Sequence, residues 1–436
     1  REKFHGRAAF AVRPRTTDEV SAIMALASQT RTAIVPQGGN TGLVGGQVPD
    51  GSGAQVIVSL LRMNAIRQVS AAGNVLVAEA GCTLQSVQQA ADDAGRLFPL
   101  SLAAEGSCTI GGNLSTNAGG INVVAYGNAR DLCLGLEVVL ADGRIWNGLN
   151  LLRKNNTGVD LKHLFIGSEG TLGIITAAAL KLFPAIHERS TAFVAVPSIQ
   201  VALDLFHLAA EKTGHKVTSV ELIPQTGLDF TIKEQDLRSP LESASPWYVL
   251  LEISTGDDVM ESLLETALER HVITDAVIAQ SSAQREALWA LRELLPESQK
   301  PQGGSIKHDV SLPLDQLAQF LDEASAAVTR LIPGARPVPF GHIGDGNIHF
   351  NITQPEGADK KAFLARWGEV NALVHDIVLK LGGSISAEHG IGQLKHDLMP
   401  AIKSPVELDM MAGLKHLFDP LGILNPGKLL PEAKND

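Results

Sequence analysis

Three glycine-rich segments, separated by strand-like runs, constrain this chain most strongly. They read PQGGNTGLVGG (residues 36–46), GSCTIGGNLSTNAGG (106–120) and GSEGTLG (167–173). Glycine lacks a Cβ atom, so such segments turn sharply and expose backbone N–H groups that could cradle a pyrophosphate. The first segment alone is equally well explained as an ordinary loop, since it matches neither G-x-G-x-x-G nor a loop ending in Gly-Lys-Ser/Thr. All three together favour a long ligand, such as a dinucleotide, lying against the backbone.

The length and periodicity of the chain predict more than one domain. With 436 residues, it is too long for a single hydrophobic core of ordinary size. Strand-like runs alternate with glycine loops in the first part, where Thr83 is the expected N-cap of a helix over 83–94. After Pro184, helical and strand-like segments alternate, and residues 363–381 read as one amphipathic helix. We therefore expect an α+β protein with domains at 1–185 and 186–405 and a C-terminal segment at 406–436.

Charge and cysteine usage exclude several classes of protein. The formal charge of −11 (36 basic against 47 acidic residues) argues against a nucleic-acid partner. Cys82, Cys108 and Cys133 are scattered, as expected of buried free thiols in a reducing compartment. No apolar run predicts a transmembrane segment. We expect a cytoplasmic protein, or one of the mitochondrial matrix if the source is eukaryotic. A leader is not judged, because the sequence begins without Met.

The segment GHIGDGNIHFN (residues 341–351) presents two histidines around a glycine turn. The glycines between His342 and His349 favour a loop that enters a strand over a helix. Glu388 and His389 follow later in the chain. Two histidines and a glutamate suit Zn²⁺ or another divalent metal with a position open to substrate. The spacing matches no standard zinc motif, however, and by itself it favours polar residues at strand ends.

Seven segments carry a resemblance to a known superfamily. In order, they are PQGGNTGLVGG, GGNLSTNAGG, ARDLCLGLEVVLADG, FIGSEGTLGIIT, GHIGDGNIHFN, SISAEHGIGQLK and ILNPGKLL. They resemble the vanillyl-alcohol oxidase / p-cresol methylhydroxylase superfamily, in particular its FAD-linked D-2-hydroxyacid dehydrogenases, and within these the enzymes for D-2-hydroxyglutarate. The resemblance implies a two-lobed FAD-binding domain and a C-terminal α+β substrate domain whose antiparallel sheet is covered by helices. It also implies that the C-terminal segment returns to the FAD domain.

The resemblance further implies how FAD is held. The first glycine loop would bind the pyrophosphate, and Asn40 stands in the loop where members with covalent flavin usually carry a histidine, so we expect non-covalent FAD. The residues expected to bind FAD are Pro36, Gly38, Gly39, Asn40, Thr41, Gly42, Gly106, Ser107, Gly111, Gly112, Asn113, Ser115, Thr116, Asn117, Gly119, Gly120, Glu169, Gly170, Gly173, Ile174 and Asn425.

The same resemblance implies a metal site and a general base. His342, His349 and Glu388 would be the metal ligands, and His389 the base. A 2-hydroxy acid can chelate a cation through its carboxylate and hydroxyl groups, and the cation lowers the pKa of the hydroxyl. Imidazole, with an unperturbed pKa of ~6.5, can take that proton near neutrality. Hydride would then pass to the flavin N5.

Three further residues are expected to contact the substrate. By the resemblance, Arg292 and Lys307 would bind carboxylate groups, a role that suits the planar guanidinium of arginine. Each is also explained as a solvated or edge residue, and one of them could pair with a protein acid instead. Asn351 would point to the same side of its strand as His349. Pro296 stands where the D-2-hydroxyglutarate enzymes are expected to carry threonine.

These observations predict oxidation of D-2-hydroxyglutarate or a similar dicarboxylate such as malate. The alternatives are a D-lactate or glycolate dehydrogenase and, from other classes, a zinc hydrolase or a non-catalytic ligand-binding module. Candidate acceptors of the electrons are an electron-transferring flavoprotein or a component of the respiratory chain. A homodimer is a further candidate assembly.

Overall fold

The computed structural model describes residues 4–431 and divides the chain into two compact units. The first comprises the chain up to Gly120, Tyr126–Ala185 and the part from Glu388 onward. The second comprises Ile121–Ala125 and Ile186–Ala387. No helix within residues 4–431 combines the length and the apolar character that crossing a bilayer requires.

Two larger sheets form the framework of the first unit. A parallel three-stranded sheet has the order β1-β3-β2, and an antiparallel five-stranded sheet has the order β4-β5-β9-β7-β8. A short antiparallel pair joins β10 to β6. The strands are β1 (Ala8–Val12), β2 (Ile34–Gln37), β3 (Gln55–Ser59), β4 (Ile66–Ser70), β5 (Val75–Glu79), β6 (Arg96–Leu97), β7 (Cys133–Val139), β8 (Ile145–Gly148), β9 (Ile174–Lys181) and β10 (Phe183–Pro184).

Short helices connect these strands. They are α1 (Thr17–Thr30), α2 (Leu84–Asp92), α3 (Ile110–Ser115) and α5 (Lys162–Phe165), whereas the first three residues of α4 (Val123–Tyr126) belong to the second unit. The predicted N-cap of α2 is confirmed, because the Thr83 side chain accepts a hydrogen bond from the Ser86 N–H at 3.2 Å. β7 consists of buried residues only, as expected of a strand covered on both faces.

A seven-stranded antiparallel sheet forms the second unit. Its order is β14-β11-β13-β12-β16-β17-β15. The strands are β11 (Ser190–Val196), β12 (Val217–Pro224), β13 (Trp247–Ile253), β14 (Asp275–Ile278), β15 (Ser305–Ser311), β16 (Arg336–His342) and β17 (Asn347–Thr353).

Helices cover this sheet. They are α6 (Ile199–Thr213), α7 (Gln225–Gln235), α8 (Asp257–Glu269), α9 (Ser282–Glu293), α10 (Leu295–Ser298), α11 (Leu317–Leu331), α12 (Lys360–Ala365) and α13 (Trp367–Lys380). One apolar cluster packs α7, α9 and α10 against the sheet through Leu228, Trp289, Leu295 and Phe340. The prediction of one helix over 363–381 is wrong, because Arg366 (φ −82°, ψ 5°) leaves the helical conformation between α12 and α13.

The last part of the chain belongs to the first unit. After α14 (Met399–Ile402) and α15 (Pro405–Phe418), the backbone runs beside β2. The N–H of Ile34 donates to the carbonyl of Ile423 at 2.7 Å, and the N–H of Asn425 donates to the carbonyl of Ile34 at 2.8 Å. These bonds extend the parallel sheet next to the first glycine loop.

Candidate active site

A cleft in the first unit is lined by parts of all three glycine-rich segments and by His389. Of the residues expected to bind FAD, its wall contains Pro36, Gly38, Gly39, Asn40, Thr41, Gly42, Gly111, Gly112, Asn113, Ser115, Thr116, Glu169, Gly170, Gly173 and Ile174. The other expected residues are outside the wall that the structure describes: Gly106, Ser107, Asn117, Gly119, Gly120 and Asn425. Segments far apart in sequence therefore meet around one space, with an imidazole at its edge.

The glycines of the first loop are required by close packing of backbone. A Cβ atom on Gly39 would lie 1.7 Å from the carbonyl oxygen of Ser107, and one on Gly38 would lie 2.2 Å from Thr109 Oγ1. The Thr109 hydroxyl is buried and has no hydrogen-bond partner among residues 4–431. A buried hydroxyl in the wall of a cleft is expected to find a partner. These features fit a bound polar ligand of the FAD type.

Glu169 fixes the turn that follows His389. Its Oε1 accepts a hydrogen bond from the N–H of Ile391 and its Oε2 one from the N–H of Gly392, both at 2.7 Å. Burial raises the pKa of Glu169, although both N–H groups act to lower it. The prediction made Glu169 a cofactor-binding residue. The structure places it in the cleft wall but engages both carboxylate oxygens with this turn.

Asn425 lies outside the cleft wall and bonds to two of the segments that line it. Its Nδ2 donates to the carbonyls of Gly46 (2.9 Å) and Glu169 (2.8 Å). The C-terminal segment thus ties two of the glycine-rich segments together. Asn117, also outside the wall, accepts a hydrogen bond from the N–H of Arg130 at 3.0 Å.

In the second unit, β16 and β17 form the hairpin that carries His342 and His349. The ring centroids of the two histidines are 5.7 Å apart. Asp345 Oδ1 accepts a hydrogen bond from the N–H of Asn347 at 3.1 Å, which ties down the turn. Gly346 has φ 81°, and a Cβ atom there would lie 2.2 Å from the carbonyl oxygen of Leu312. The glycine turn and the alternating strand thus place both imidazoles close together.

One face of the sheet gathers further polar residues around this hairpin. Asp309 lies opposite His349 in the register, Lys307 opposite Asn351, and Glu221 opposite His342. Asp309 Oδ1 is 4.0 Å from His349 Nδ1. Arg292 reaches the same face from α9, with its guanidinium 4.7 Å from the centre of the Phe340 ring. The sheet-face cluster consists of Glu221, Arg292, Lys307, Asp309, His342, His349 and Asn351.

Glu221 was missed in the sequence analysis. It is fully buried, and its carboxylate contacts both Arg292 Nε, at 2.6 Å, and His342 Nδ1. Burial alone would raise its pKa, but the neighbouring charges of Arg292 and His342 and their hydrogen bonds lower the pKa to about 2. Arg292 therefore pairs with a protein acid, the alternative that its sequence left open. The signal was a lone carboxylate inside the apolar strand VTSVELIP.

The other predicted substrate contacts lie at one edge of the sheet-face cluster. Asn351 is buried, and its Nδ2 donates to Gln299 Oε1 at 2.7 Å. Lys307 is the exposed residue of β15, and its pKa is lowered first by partial desolvation and then by the charge of Lys300. Pro296, within α10, offers no hydroxyl where threonine was expected.

Glu388 and His389 begin the segment that the structure assigns to the first unit. The predicted metal and catalytic residues are thus distributed over both units, with His342 and His349 in the second.

Asp309, like Glu221, was missed in the sequence analysis. It too is a single carboxylate within a strand-like run, SIKHDVSLP.

Two family models match the chain. Residues 8–148 match a family described as "FAD binding domain", and residues 186–429 match one described as "FAD linked oxidases, C-terminal domain". The chain is similar to the mitochondrial D-2-hydroxyglutarate dehydrogenase of Arabidopsis thaliana, with 39% identity over 437 residues, 99% of this chain and 76% of the relative. The mitochondrial enzyme of Bos taurus is 40% identical over 96% of this chain and 76% of its own. The D-2-hydroxyglutarate dehydrogenase of Xanthomonas citri pv. viticola is 38% identical over 95% of this chain and 88% of its own.

Solved structures show the same fold at low identity. p-Cresol methylhydroxylase matches with a TM-score of 0.74 and 15% identity over 98% of this chain and 89% of its own. The 4-ethylphenol oxidase of Gulosibacter chungangensis matches with a TM-score of 0.72 and 18% identity over 97% and 89%. The resemblance and the fold class predicted from the sequence are both confirmed.

Proposed function

This chain belongs to the family of FAD-linked oxidases, and we propose that it oxidises a D-2-hydroxy acid to the 2-oxo acid with FAD and a divalent metal ion. The observation that carries the proposal is that His389 lines the same cleft as the glycine-rich segments, so a base stands beside the space suited to the flavin. A zinc hydrolase would not need the flavin-sized cleft, and a ligand-binding module would not need a base beside it. FAD would be held without a covalent bond, since Asn40 and its neighbours in the first loop include no histidine.

The metal would be bound by His342, His349 and Glu388. Imidazole nitrogens and a carboxylate suit Zn²⁺ and similar ions. The contact of Glu221 with His342 Nδ1 supports this assignment, because a carboxylate on one ring nitrogen leaves the other to act as ligand.

The chain's own residues would bind the acid and remove one proton. When bound, FAD accepts a hydride from the α-carbon, and the cation lowers the pKa of the hydroxyl. His389 takes the hydroxyl proton, so that one proton and one hydride leave and a carbonyl remains. Lys307 and Arg292 attract carboxylate groups, and Asn351 helps to orient the acid.

We favour D-2-hydroxyglutarate or a similar dicarboxylate such as malate as the substrate. Two observations support this choice: two cationic side chains belong to the sheet-face cluster, and the similar relatives named above are D-2-hydroxyglutarate dehydrogenases. One observation favours a monocarboxylate such as D-lactate or glycolate instead. Glu221 compensates the charge of Arg292, which leaves Lys307 as the uncompensated cation of the cluster.

Anaerobic flavin reduction tests the proposal. The purified protein is mixed with a panel of D-2-hydroxy acids, before and after removal of metal with a chelator and again after Zn²⁺ is restored. We expect a yellow protein that a dicarboxylate bleaches fastest, that loses this response with the chelator and that regains it with metal. A colourless protein contradicts the flavin assignment, and equal bleaching without metal contradicts the metal role.

The electron acceptor, the homodimer and the compartment stay predictions.

A further inference from the structure

Glu221 occupies an unusual position for a carboxylate. It lies in β12, whose residues are all buried, and none of its surface is exposed. A buried charge is costly unless it is paired and its remaining hydrogen-bonding capacity is satisfied. Each oxygen of Glu221 therefore needs a partner, and the identity of those partners decides what the residue does.

The two oxygens of Glu221 hold two different predicted site residues. Oε2 accepts a hydrogen bond from Arg292 Nε at 2.6 Å, and Oε1 contacts His342 Nδ1. Arg292 comes from α9, whereas His342 is the last residue of β16. One buried carboxylate thus links a predicted carboxylate-binding side chain to a predicted metal ligand.

Each contact orients its partner. With Oε1 at Nδ1, the proton of neutral His342 belongs on Nδ1, and Nε2 keeps the lone pair that a metal requires. With Oε2 at Nε, the guanidinium of Arg292 is fixed at one edge, and its two terminal nitrogens can face a carboxylate. The Phe340 ring, 4.7 Å from the guanidinium, restrains it further.

Glu252 provides an internal comparison. It lies in the neighbouring strand β13, has 2% of its surface exposed, and is equally well bonded. Its carboxylate accepts from Arg285 Nε at 2.8 Å and from Trp289 Nε1 and Thr191 Oγ1, both at 3.0 Å. None of these partners belongs to the sheet-face cluster. Glu252 therefore links structural residues only. A variant at Glu252 loses a buried charge but leaves the orientation of His342 and Arg292 unchanged, so it separates the two effects.

We propose that Glu221 is a positioning residue that sets the tautomer of His342 for metal binding and the orientation of Arg292 for substrate binding. This inference rests on the proposed function, because it presupposes a metal at His342 and a carboxylate at Arg292. It predicts that altering the shared carboxylate changes the metal affinity, the KM for the acid or both, and that altering a buried carboxylate elsewhere in the sheet changes neither.

Glu221→Gln is the decisive variant. An amide has one accepting oxygen and one donating nitrogen, so it cannot accept from Arg292 and His342 at once. If its nitrogen faces His342, the imidazole proton moves to Nε2 and opposes the metal. If its nitrogen faces Arg292, two donors meet and the guanidinium turns away. Glu252→Gln is the matched control.

Three measurements on the FAD-loaded 436-residue chain test the inference. Zn²⁺ is titrated by calorimetry into chelator-treated protein, kcat and KM are measured with D-2-hydroxyglutarate, and thermal melting reports folding. With the flavin spectrum retained, we expect Glu221→Gln to weaken Zn²⁺ binding by about 10- to 100-fold if its nitrogen faces His342, and to raise KM if its nitrogen faces Arg292. Glu252→Gln should melt at least as early but keep the Zn²⁺ affinity and KM of the wild type.

Wild-type Zn²⁺ affinity together with wild-type KM in Glu221→Gln, or equal losses in both variants, overturns the inference and leaves the proposed function intact. A wild-type chain that binds no Zn²⁺ overturns both. If Glu221→Gln does not fold, ¹⁵N NMR of histidine-labelled, metal-free wild type decides. A proton on Nδ1 of His342 supports the inference, and a proton on Nε2 alone overturns it.

Discussion

Replacing Glu169 with glutamine should slow flavin reduction without removing the flavin. Glu169 does not need to contact FAD to matter, because its carboxylate holds the N–H groups of Ile391 and Gly392 directly after His389. Glutamine has one accepting oxygen, so one of these N–H groups would face the amide nitrogen instead. The turn that positions His389 would then lose part of its support.

The magnitude follows from the bond that is lost. A hydrogen bond to a charged group contributes about 1.5–3 kcal/mol net, and each 1.36 kcal/mol is about a factor of ten. Both bonds are 2.7 Å long and Glu169 is 8% exposed, so little discount for solvent applies. We therefore expect the population with His389 in place to fall by roughly 10- to 150-fold if the turn opens fully.

Stopped-flow reduction under anaerobic conditions measures this effect. The rate of bleaching at saturating D-2-hydroxy acid is compared between wild type and Glu169→Gln, and the flavin-to-protein absorbance ratio controls for cofactor loss. Glu105→Gln is a control in the same unit, because Glu105 precedes the second glycine-rich segment and its carboxylate accepts hydrogen bonds from Ser101 Oγ and the N–H of Leu102. A Glu169→Gln protein that keeps its flavin and the wild-type rate refutes the reasoning. So does an equal slowing in Glu105→Gln.

Three other outcomes can be checked with simple assays. His389→Ala should reduce the rate of flavin reduction by about 10²- to 10⁴-fold while FAD stays bound. His416→Ala, at an exposed position of α15, should leave that rate unchanged. An unchanged rate in His389→Ala rejects the general-base assignment. Gly39→Ala places a Cβ atom 1.7 Å from the carbonyl oxygen of Ser107 and should lower the flavin content of the purified protein. Gly51→Ala should not lower it, because a Cβ atom there has no other atom within 4 Å. Full flavin content in Gly39→Ala contradicts the packing argument. All three thiols should resist a thiol reagent at pH 8 in the folded protein and react after unfolding, because burial raises the pKa of Cys82 to about 11, that of Cys108 in the same direction and that of Cys133 to about 12. Above pH ~9 the thiols of the unfolded chain ionise while the buried thiols do not, so the free energy of unfolding should fall as the pH rises from ~9 through the folded pKa values. A fast-reacting thiol at pH 8 contradicts the burial.

The residues that the sequence revealed share a local signal. Glycine clusters, and the glycine turn between His342 and His349 that leads into a strand, are properties of neighbouring residues. Segments 36–46 and 341–351 could therefore be interpreted without knowing what they contact. Thr83 likewise caps a helix through a residue three positions away. The resemblance to a family extended these local signals to Glu388 and His389.

Other features depend on pairing that no local pattern contains. Glu221 meets His342 because β12 pairs with β16, and it meets Arg292 because α9 packs on that face of the sheet. Arg292 looked like a substrate ligand or a solvated residue, and only the sheet register reveals the buried acid beside it. Glu169 was assigned to the cofactor because its loop is glycine-rich, whereas its partners come from a turn more than two hundred residues later. Long-range carboxylate contacts of this kind need the fold.

The central claim is tested most directly by stoichiometric reduction of the bound flavin. Metal-loaded protein is mixed anaerobically with either enantiomer of 2-hydroxyglutarate, and the loss of flavin absorbance is compared with the amount of 2-oxo acid formed. We predict rapid bleaching by the D-enantiomer with one 2-oxo acid per flavin, and little reaction with the L-enantiomer. A flavin that neither enantiomer of 2-hydroxyglutarate nor any other D-2-hydroxy acid reduces would contradict the account.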